Sequence, residues 1–226
     1  MSNINIEIEM ENGGIIKAEL YPDTAPITVE NFVKLIEDNF FDGLIFHRVI
    51  AGFMIQGGGY REDGSHKDAD SIKGEFDKNG VKNPLKHERG VLSMARTMFP
   101  NSASSQFFIM HDDAPHLDGQ YAAFGRVTDG MNVVDEIASA RTGYVEAQGI
   151  DDVPVDPIVI DTIVIGDGEK PAKTKAPKTT PTPEASAKPS ASPTPRPLTP
   201  EGKDIDKPDT EDSSEIARGD LSGLIS

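Results

Sequence analysis

The segment LIFHRVIAGFMIQGG, residues 44–58, decides the fold. It predicts a strand, a short turn and a second strand that ends in the glycines of residues 57–59. A strand facing solvent would not carry so many apolar side chains, and a fully buried strand would not carry Arg48 and Gln56. The segment therefore predicts a wall with one face in the core and one face available for binding.

The composition divides the 226-residue chain into a part that can fold around a core and a part that cannot. Large apolar residues almost vanish after Glu169, and nine of the 17 prolines lie between residues 170 and 200. Such a segment cannot bury enough apolar area to offset its ordering entropy. We therefore predict a folded domain over residues 1–166, a disordered Pro/Thr/Ser/Lys-rich linker over 167–200 and an acidic, disordered tail over 201–226.

Charge, cysteine content and hydropathy argue against a nucleic-acid-binding protein, a cysteine-dependent fold and a membrane protein. The formal net charge is −16, and residues 1–166 hold 27 acidic and 13 basic side chains. This balance argues against nucleic acid as the main partner, because phosphate binding needs Lys and Arg. The chain has no cysteine, so neither disulfides nor thiolate metal sites are expected. No stretch has the pattern of a signal peptide or the length of a membrane span, and we expect a cytoplasmic monomer.

Alternation of apolar and polar residues predicts a mainly β fold. The strand segments are 4–10, 14–21, two within 44–58, 90–95, 105–110, 122–127 and 158–166. An apolar stripe at helical spacing predicts a helix capped by Thr28, and its members are Val29, Phe32, Val33 and Ile36. A second short helix is predicted around residues 131–138. Eight short strands favour a closed barrel, because closure removes exposed strand edges.

Several kinds of chemistry lack the residue pattern they require. His111 and His116 flank two aspartates, but Pro115 between them disfavours the helical spacing of a metal-ligand pair. No serine has the G-x-S-x-G context of a hydrolase nucleophile. The glycine run at 57–59 is not followed by a helix signal, so it does not predict a phosphate-binding loop. We expect neither a metal nor another cofactor.

What remains is an apolar patch with a few polar groups. Its motifs are FHRVIAGFMIQGG, SMA, SQFF and LDGQYAAFG, in this order within residues 4–166. In sequence and in order, these motifs resemble those of the cyclophilins. The spacing between SMA and SQFF is similar to that of bacterial members. The resemblance implies an eight-stranded antiparallel barrel capped by two helices, and a peptidyl-prolyl cis-trans isomerase. Its partners would be proline-containing peptides and unfolded or folding proteins.

The resemblance also implies a role for individual residues. Arg48 matches the catalytic arginine and Gln56 the glutamine beside it. Four side chains match the pocket for the proline ring, namely Phe53, Met54, Phe108 and Leu117. Gln106 matches a polar wall residue, and the backbone of Ala95 and Arg96 matches the stretch that pairs with the substrate.

Three positions depart from the pattern of the eukaryotic members. His116 stands where these often have the tryptophan that binds cyclosporin, so we expect weak inhibition by cyclosporin. Tyr121 replaces a frequent pocket histidine, and Arg96 replaces an asparagine. All three belong to the substrate-binding set, and we expect Tyr121 and Arg96 to alter substrate preference more than the basic reaction.

The residues alone leave simpler interpretations open. Arg48 on an apolar strand is more often a charge that reaches the surface along its aliphatic stem. Phe107 and Phe108 must face opposite ways in a strand, so one belongs to the core and one to the pocket, which the resemblance assigns to Phe108. His47 is expected to point opposite Arg48 and to be structural. Rival functions are a peptide-binding module without turnover and a scaffold in which the tail is the functional part.

Overall fold

The computed structural model describes residues 2–145 and 150–166. The predicted linker (167–200) and acidic tail (201–226) lie outside the described residues. The described residues form ten strands, which are β1 Ile4–Met10, β2 Ile15–Leu20, β3 Leu44–Ile50, β4 Met54–Arg61, β5 Val91–Met94, β6 Phe107–Met110, β7 Ala123–Asp129, β8 Thr142–Val145, β9 Ile150–Pro154 and β10 Ile160–Ile165. They also form two α-helices, α1 Pro26–Glu37 and α2 Met131–Ala138.

Eight strands form one antiparallel sheet in the order β10-β1-β2-β7-β5-β6-β4-β3. The two outer strands approach each other, because Phe46 N donates to Ile158 O and Gly43 N to Ile160 O, both at 2.9 Å. The sheet is thereby a nearly closed barrel. The predicted eight-stranded antiparallel barrel with two helices is confirmed.

A separate hairpin, formed by β8 and β9, was not predicted. Its strand sequences, TGYV and IDDVP, are short and lack a sustained alternation of apolar and polar residues. Nothing local in the sequence therefore identifies them as strands. The hairpin packs against β3 rather than extending the barrel.

The barrel interior is filled by aromatic side chains from both helix and strands. Phe32 of α1 lies 4.9 Å from Phe41, 5.2 Å from Phe107 and 5.1 Å from Phe124, measured between ring centroids. All four side chains are fully buried. The stripe predicted for α1 thus faces the barrel. Tilted and edge-to-face contacts of this kind stabilise a core beyond the area they bury.

The N-terminus of α1 differs from the prediction. The helix begins at Pro26, and Thr28 lies inside its first turn instead of at the N-cap. The buried carboxylate of Glu75 accepts hydrogen bonds from Ile27 N at 3.1 Å, Thr28 N at 2.8 Å and Thr28 Oγ1 at 2.7 Å. A proline can open a helix because its missing N–H would have no helical partner there. The cap therefore comes from a loop 47 residues away along the chain.

The long polar region between β4 and β5 is held against the N-terminus of α1 by the hydrogen bonds of Glu75. Besides Glu75, it carries Asn83, whose buried Nδ2 donates to Glu75 O and to Ala123 O, both at 2.9 Å.

Among the residues that the structure describes, no helix is long and apolar enough to cross a membrane.

Glu75→Ala should lower the free energy of unfolding by about 2–3 kcal/mol, because it leaves the buried amide and hydroxyl of Thr28 and the partly buried amide of Ile27 without their acceptor. Glu75→Gln keeps one acceptor oxygen and should lose less. The matched control is Glu30→Ala, an exposed glutamate on the same helix, with an expected change within about 0.5 kcal/mol. Urea unfolding measures all three. Equal stability of Glu75→Ala and Glu30→Ala would contradict the capping role.

Candidate functional site

The wall predicted from residues 44–58 is built from β3 and β4, and its register is interrupted. Phe46 pairs with Gly57 and Arg48 with Gln56, with an irregularity between the two pairs. Phe46 and Val49 both belong to the barrel core although they are three residues apart. Strict alternation would require an even spacing, so the bulge between them changes which face the following side chains take. Arg48 consequently lies on the outer face of the wall, beside Gln56.

The glycines at the end of β4 allow a close approach from β6. A Cβ on Gly59 would lie 2.6 Å from Cγ of Gln106, which is closer than side chains tolerate. Gly58 has a φ of +85°, and a Cβ there would lie 2.8 Å from Ser105 O. These positions therefore need glycine. The result is that the Gln106 side chain lies directly over the strand that carries Gln56.

Nine of the eleven predicted site residues line one pocket: Arg48, Phe53, Met54, Gln56, Ala95, Arg96, Phe108, Leu117 and Tyr121. It encloses about 370 Å³, including the open solvent at its mouth. Met54, Phe108 and Leu117 belong to a second apolar cluster, separate from the one inside the barrel. Phe107 points into the barrel and Phe108 into this second cluster, as expected for neighbouring strand residues.

The other two predicted residues contact members of the pocket. Gln56 Nε2 donates to Gln106 Oε1 at 3.0 Å. The His116 ring stacks on Phe53, with centroids 5.7 Å apart and planes 24° apart. The structure thus brings all eleven side chains together at one site.

His47 is buried, as expected for a structural residue, but it does not lie opposite Arg48. Its Nε2 is 3.4 Å from Gln56 Nε2, and its ring centroid is 4.7 Å from that of Tyr60. The strand bulge places both His47 and Arg48 on the side that carries Gln56. Burial lowers the pKa of His47 to about 4. The imidazole is therefore neutral at pH 7 and can accept the Gln56 amide.

Arg48 has an acidic neighbour that sequence reasoning missed. Its side chain is 21% exposed, and its Nε lies 4.0 Å from Oδ2 of Asp152 in β9. Asp152 has a φ of +64°, a left-handed conformation that residues other than glycine rarely adopt. Attraction between the two charges limits the conformations open to the guanidinium. No sequence signal pairs these residues, because the β8–β9 hairpin itself could not be predicted.

Arg96 and Ala95 form one wall of the pocket. The Arg96 guanidinium lies over the Tyr121 ring at 4.7 Å and over Phe76 at 5.0 Å. Its Nε and Nη2 donate to Gln120 O at 3.0 and 2.9 Å. Ala95 N donates to Gln106 O at 3.0 Å, so any pairing of Ala95 with a substrate must use its carbonyl.

A chain of polar residues supports the pocket floor, and sequence reasoning missed it too. Its members His87 and Ser93 are buried, and Asp118 is partly buried. His87 Nε2 is 3.0 Å from Ser93 Oγ, and His87 Nδ1 is 3.1 Å from Asp118 Oδ1. The His87 ring also stacks on Phe108, with centroids 6.1 Å apart. Burial lowers the pKa of His87, while hydrogen bonding to Asp118 opposes that shift. The order Ser-His-Asp is that of a hydrolase triad, but Ser93 has no exposed surface to meet a substrate.

The histidines considered for metal binding have other partners. His111 Nδ1 accepts from Gly52 N at 2.9 Å, and its Nε2 is 3.3 Å from an Asp135 carboxylate oxygen. Within residues 2–145 and 150–166, no group of three or more His, Asp or Glu side chains is arranged to hold a metal ion.

Comparison with known proteins connects this geometry to a family. The model of a family described as cyclophilin type peptidyl-prolyl cis-trans isomerase/CLD matches residues 5–165. A peptidyl-prolyl cis-trans isomerase of Acinetobacter baylyi is 45% identical over 159 residues, which are 67% of this chain and 82% of that protein. Peptidyl-prolyl cis-trans isomerase B of Escherichia coli is 40% identical over 164 residues, 69% of this chain and 96% of that protein.

A solved structure agrees with the sequence relatives. The cyclophilin type peptidyl-prolyl cis-trans isomerase of Cryptosporidium parvum, crystallised in the presence of the dipeptide Ala-Pro, superposes with a TM-score of 0.60 at 30% identity. The match covers 73% of this chain and 99% of that one. The chain therefore belongs to the cyclophilin-type peptidyl-prolyl cis-trans isomerases, a family of enzymes.

Proposed function

We propose that this isomerase accelerates rotation of Xaa-Pro bonds in peptides and in unfolded or folding proteins by donating from Arg48 to the prolyl nitrogen. The observation that carries the proposal is that Arg48 shares one pocket with the apolar side chains of Phe53, Met54, Phe108 and Leu117. The presence of Ala-Pro with the C. parvum relative supports proline-containing peptides as the ligand class.

The reaction needs no nucleophile and no cofactor. Partial double-bond character gives the peptide C–N bond a rotation barrier of about 18–20 kcal/mol. The cis and trans forms of an Xaa-Pro bond are close in energy but exchange over tens to hundreds of seconds. As the bond twists, the nitrogen lone pair localises and becomes a hydrogen-bond acceptor. A donor aimed at that nitrogen stabilises the twisted state more than either planar state, and this difference accelerates rotation.

Each side of the pocket has a part in this proposal. The apolar floor holds the proline ring, so that the preceding carbonyl swings while the ring stays in place. The Arg48 guanidinium is a rigid fork that can donate to the prolyl nitrogen and to a substrate carbonyl together. Gln56 pairs with Arg48 in register, and its amide nitrogen already donates to Gln106. Its amide oxygen is then the acceptor that faces Arg48 or the substrate.

The remaining substrate-binding residues shape the approach to the pocket. Ala95 and Arg96 provide the wall along which the substrate backbone lies, and Tyr121 closes it behind Phe108 in an edge-to-face contact at 5.8 Å. His116 positions Phe53 at the rim by stacking. We place the activity in residues 1–166, which is supported by the family match over residues 5–165.

Arg48→Ala should reduce kcat/KM on an Ala-Pro peptide by about 100- to 1000-fold, the effect of removing one preorganised donor from a desolvated site. Arg48→Lys keeps the charge but loses the fork, so we expect a partial loss of about 10- to 100-fold. Arg61→Ala, an exposed arginine at the end of β4, is the control and should stay within about twofold. A protease-coupled assay measures all four proteins. Full activity of Arg48→Ala, or no acceleration by the wild type, would overturn the proposal.

The pH profile should separate donation by Arg48 from acid–base catalysis by His47. We expect kcat/KM to be constant between about pH 6 and 9, because a guanidinium keeps its charge there and His47, with a pKa of about 4, stays neutral. A profile that bends near pH 6–7 in the wild type and becomes flat in His47→Gln would contradict this.

The same pKa makes stability depend on pH. The folded pKa of His47 is about 4, below the ordinary 6.5, so the unfolded state takes up the proton first as the pH falls. The free energy of unfolding should therefore decrease from about pH 6.5 to about 4, by at most about 3 kcal/mol for this group. Urea unfolding at several pH values should show a weaker decrease in His47→Gln.

A further inference from the structure

Two adjacent apolar side chains stand out in the loop between β5 and β6. Met98 is 69% exposed and Phe99 is 68% exposed, and these are the highest values among the large hydrophobic residues that the structure describes. Burial of such side chains is ordinarily favourable. Their joint exposure is therefore a feature that needs a reason, and the residues of the reaction pocket do not include them.

The loop that carries them is held in place by its polar residues. Ser102 Oγ accepts hydrogen bonds from Thr97 N at 3.0 Å and Thr97 Oγ1 at 2.8 Å, and donates to Phe99 O at 2.7 Å. Asn101 Oδ1 accepts from Gly74 N at 3.1 Å and Asn79 Nδ2 at 2.8 Å. The backbone is thus fixed from within and from the neighbouring loop.

The exposed pair follows closely in the chain on a residue of the reaction pocket. Arg96 lines the pocket and is anchored over Tyr121 and Phe76. Met98 and Phe99 follow it by two and three residues, so their Cα atoms lie within about 7 and 11 Å of that of Arg96. An extended peptide advances about 3.3 Å per residue. A polypeptide with its proline in the pocket would therefore reach the pair about two to four residues from that proline.

We propose that Met98 and Phe99 form a second binding site, which takes an apolar side chain of the same polypeptide whose proline occupies the pocket. The inference rests on the proposed function and names its preferred substrates, which are non-native chain segments with large apolar residues near a proline. Such segments are exposed before a protein folds and buried afterwards. The flexible thioether of Met98 suits a site that must accept side chains of different shape.

Other occupants fit the pair less well. Two side chains offer on the order of 300 Å², whereas a stable interface between two copies needs about 800 Å² from each partner. Residues 170–200 of this chain contain Leu198 as their one large aliphatic residue and no aromatic residue. Residues 201–226 hold five large aliphatic residues but carry a net charge of −5, and the −14 of residues 1–166 repels such a segment. A second copy and these two segments therefore fit the pair less well than a client polypeptide does.

The test uses the full-length chain and the double variant Met98→Ser/Phe99→Ser. The substrates are a short Ala-Pro peptide and longer peptides with Leu or Ser two to four residues before or after the proline. We expect the wild type to prefer the Leu peptides over the Ser peptides by about tenfold in kcat/KM, mainly through KM. The double variant should lose this preference and keep wild-type kcat/KM on the short peptide. Ile15→Ser, at another exposed apolar residue in β2, should keep the preference.

The outcomes separate this inference from the proposed function. Absence of activity on every peptide would contradict the proposed function, and the second site with it. Activity without a preference for Leu, or a preference that survives in the double variant, would overturn the second site and leave the reaction in place. Loss of the preference together with a dimer-to-monomer change in sedimentation would also overturn it, in favour of an interface between copies. Unfolding curves that match the wild type show that both variants are folded.

Discussion

The bulge in β3 between Phe46 and Arg48 is the constraint on which the site depends. Phe46 and Val49 both fill the barrel core, and only a break in strand alternation lets them do so three residues apart. Without the break, Arg48 would share the face of Phe46 and put an unpaired charge into a dry aromatic interior, at a cost of several kcal/mol. The fold and the placement of the guanidinium are therefore consequences of the same irregularity.

The side of the wall that the bulge creates combines two environments. Met54 and Phe108 give an apolar surface, while Gln56 and Gln106 form a polar strip joined by a 3.0 Å hydrogen bond. In the reaction we propose, the apolar surface holds the proline ring, and the strip keeps the neighbouring donors oriented before a substrate arrives. Preorganisation of this kind would lower the rotational barrier without any group that gains or loses a proton.

Local patterns and contacts between distant residues differ in how far they could be predicted. The eight strands, the stripe on α1 and the opposite faces of Phe107 and Phe108 follow from apolar periodicity, which depends only on neighbouring residues. The pocket residues came from resemblance to the family. The Glu75 cap, the buried His87 and the Asp152 neighbour of Arg48 join segments far apart in the chain through loops and a hairpin without periodicity. The predicted N-cap role of Thr28 and the predicted orientation of His47 are wrong for a related reason. The first follows from the capping propensity of threonine and the second from strict strand alternation, whereas contacts with distant segments decide both.

The central claim is that a proline-containing peptide brings its prolyl nitrogen to Arg48. NMR titration of the 15N-labelled protein with an Ala-Pro peptide tests it most directly, through the Nε–H resonances of the arginine side chains. The account predicts a saturable shift and exchange broadening at Arg48, with Arg61 and Arg126 unchanged. Shifts confined to other residues, with the Arg48 resonance unmoved at saturation, would contradict it.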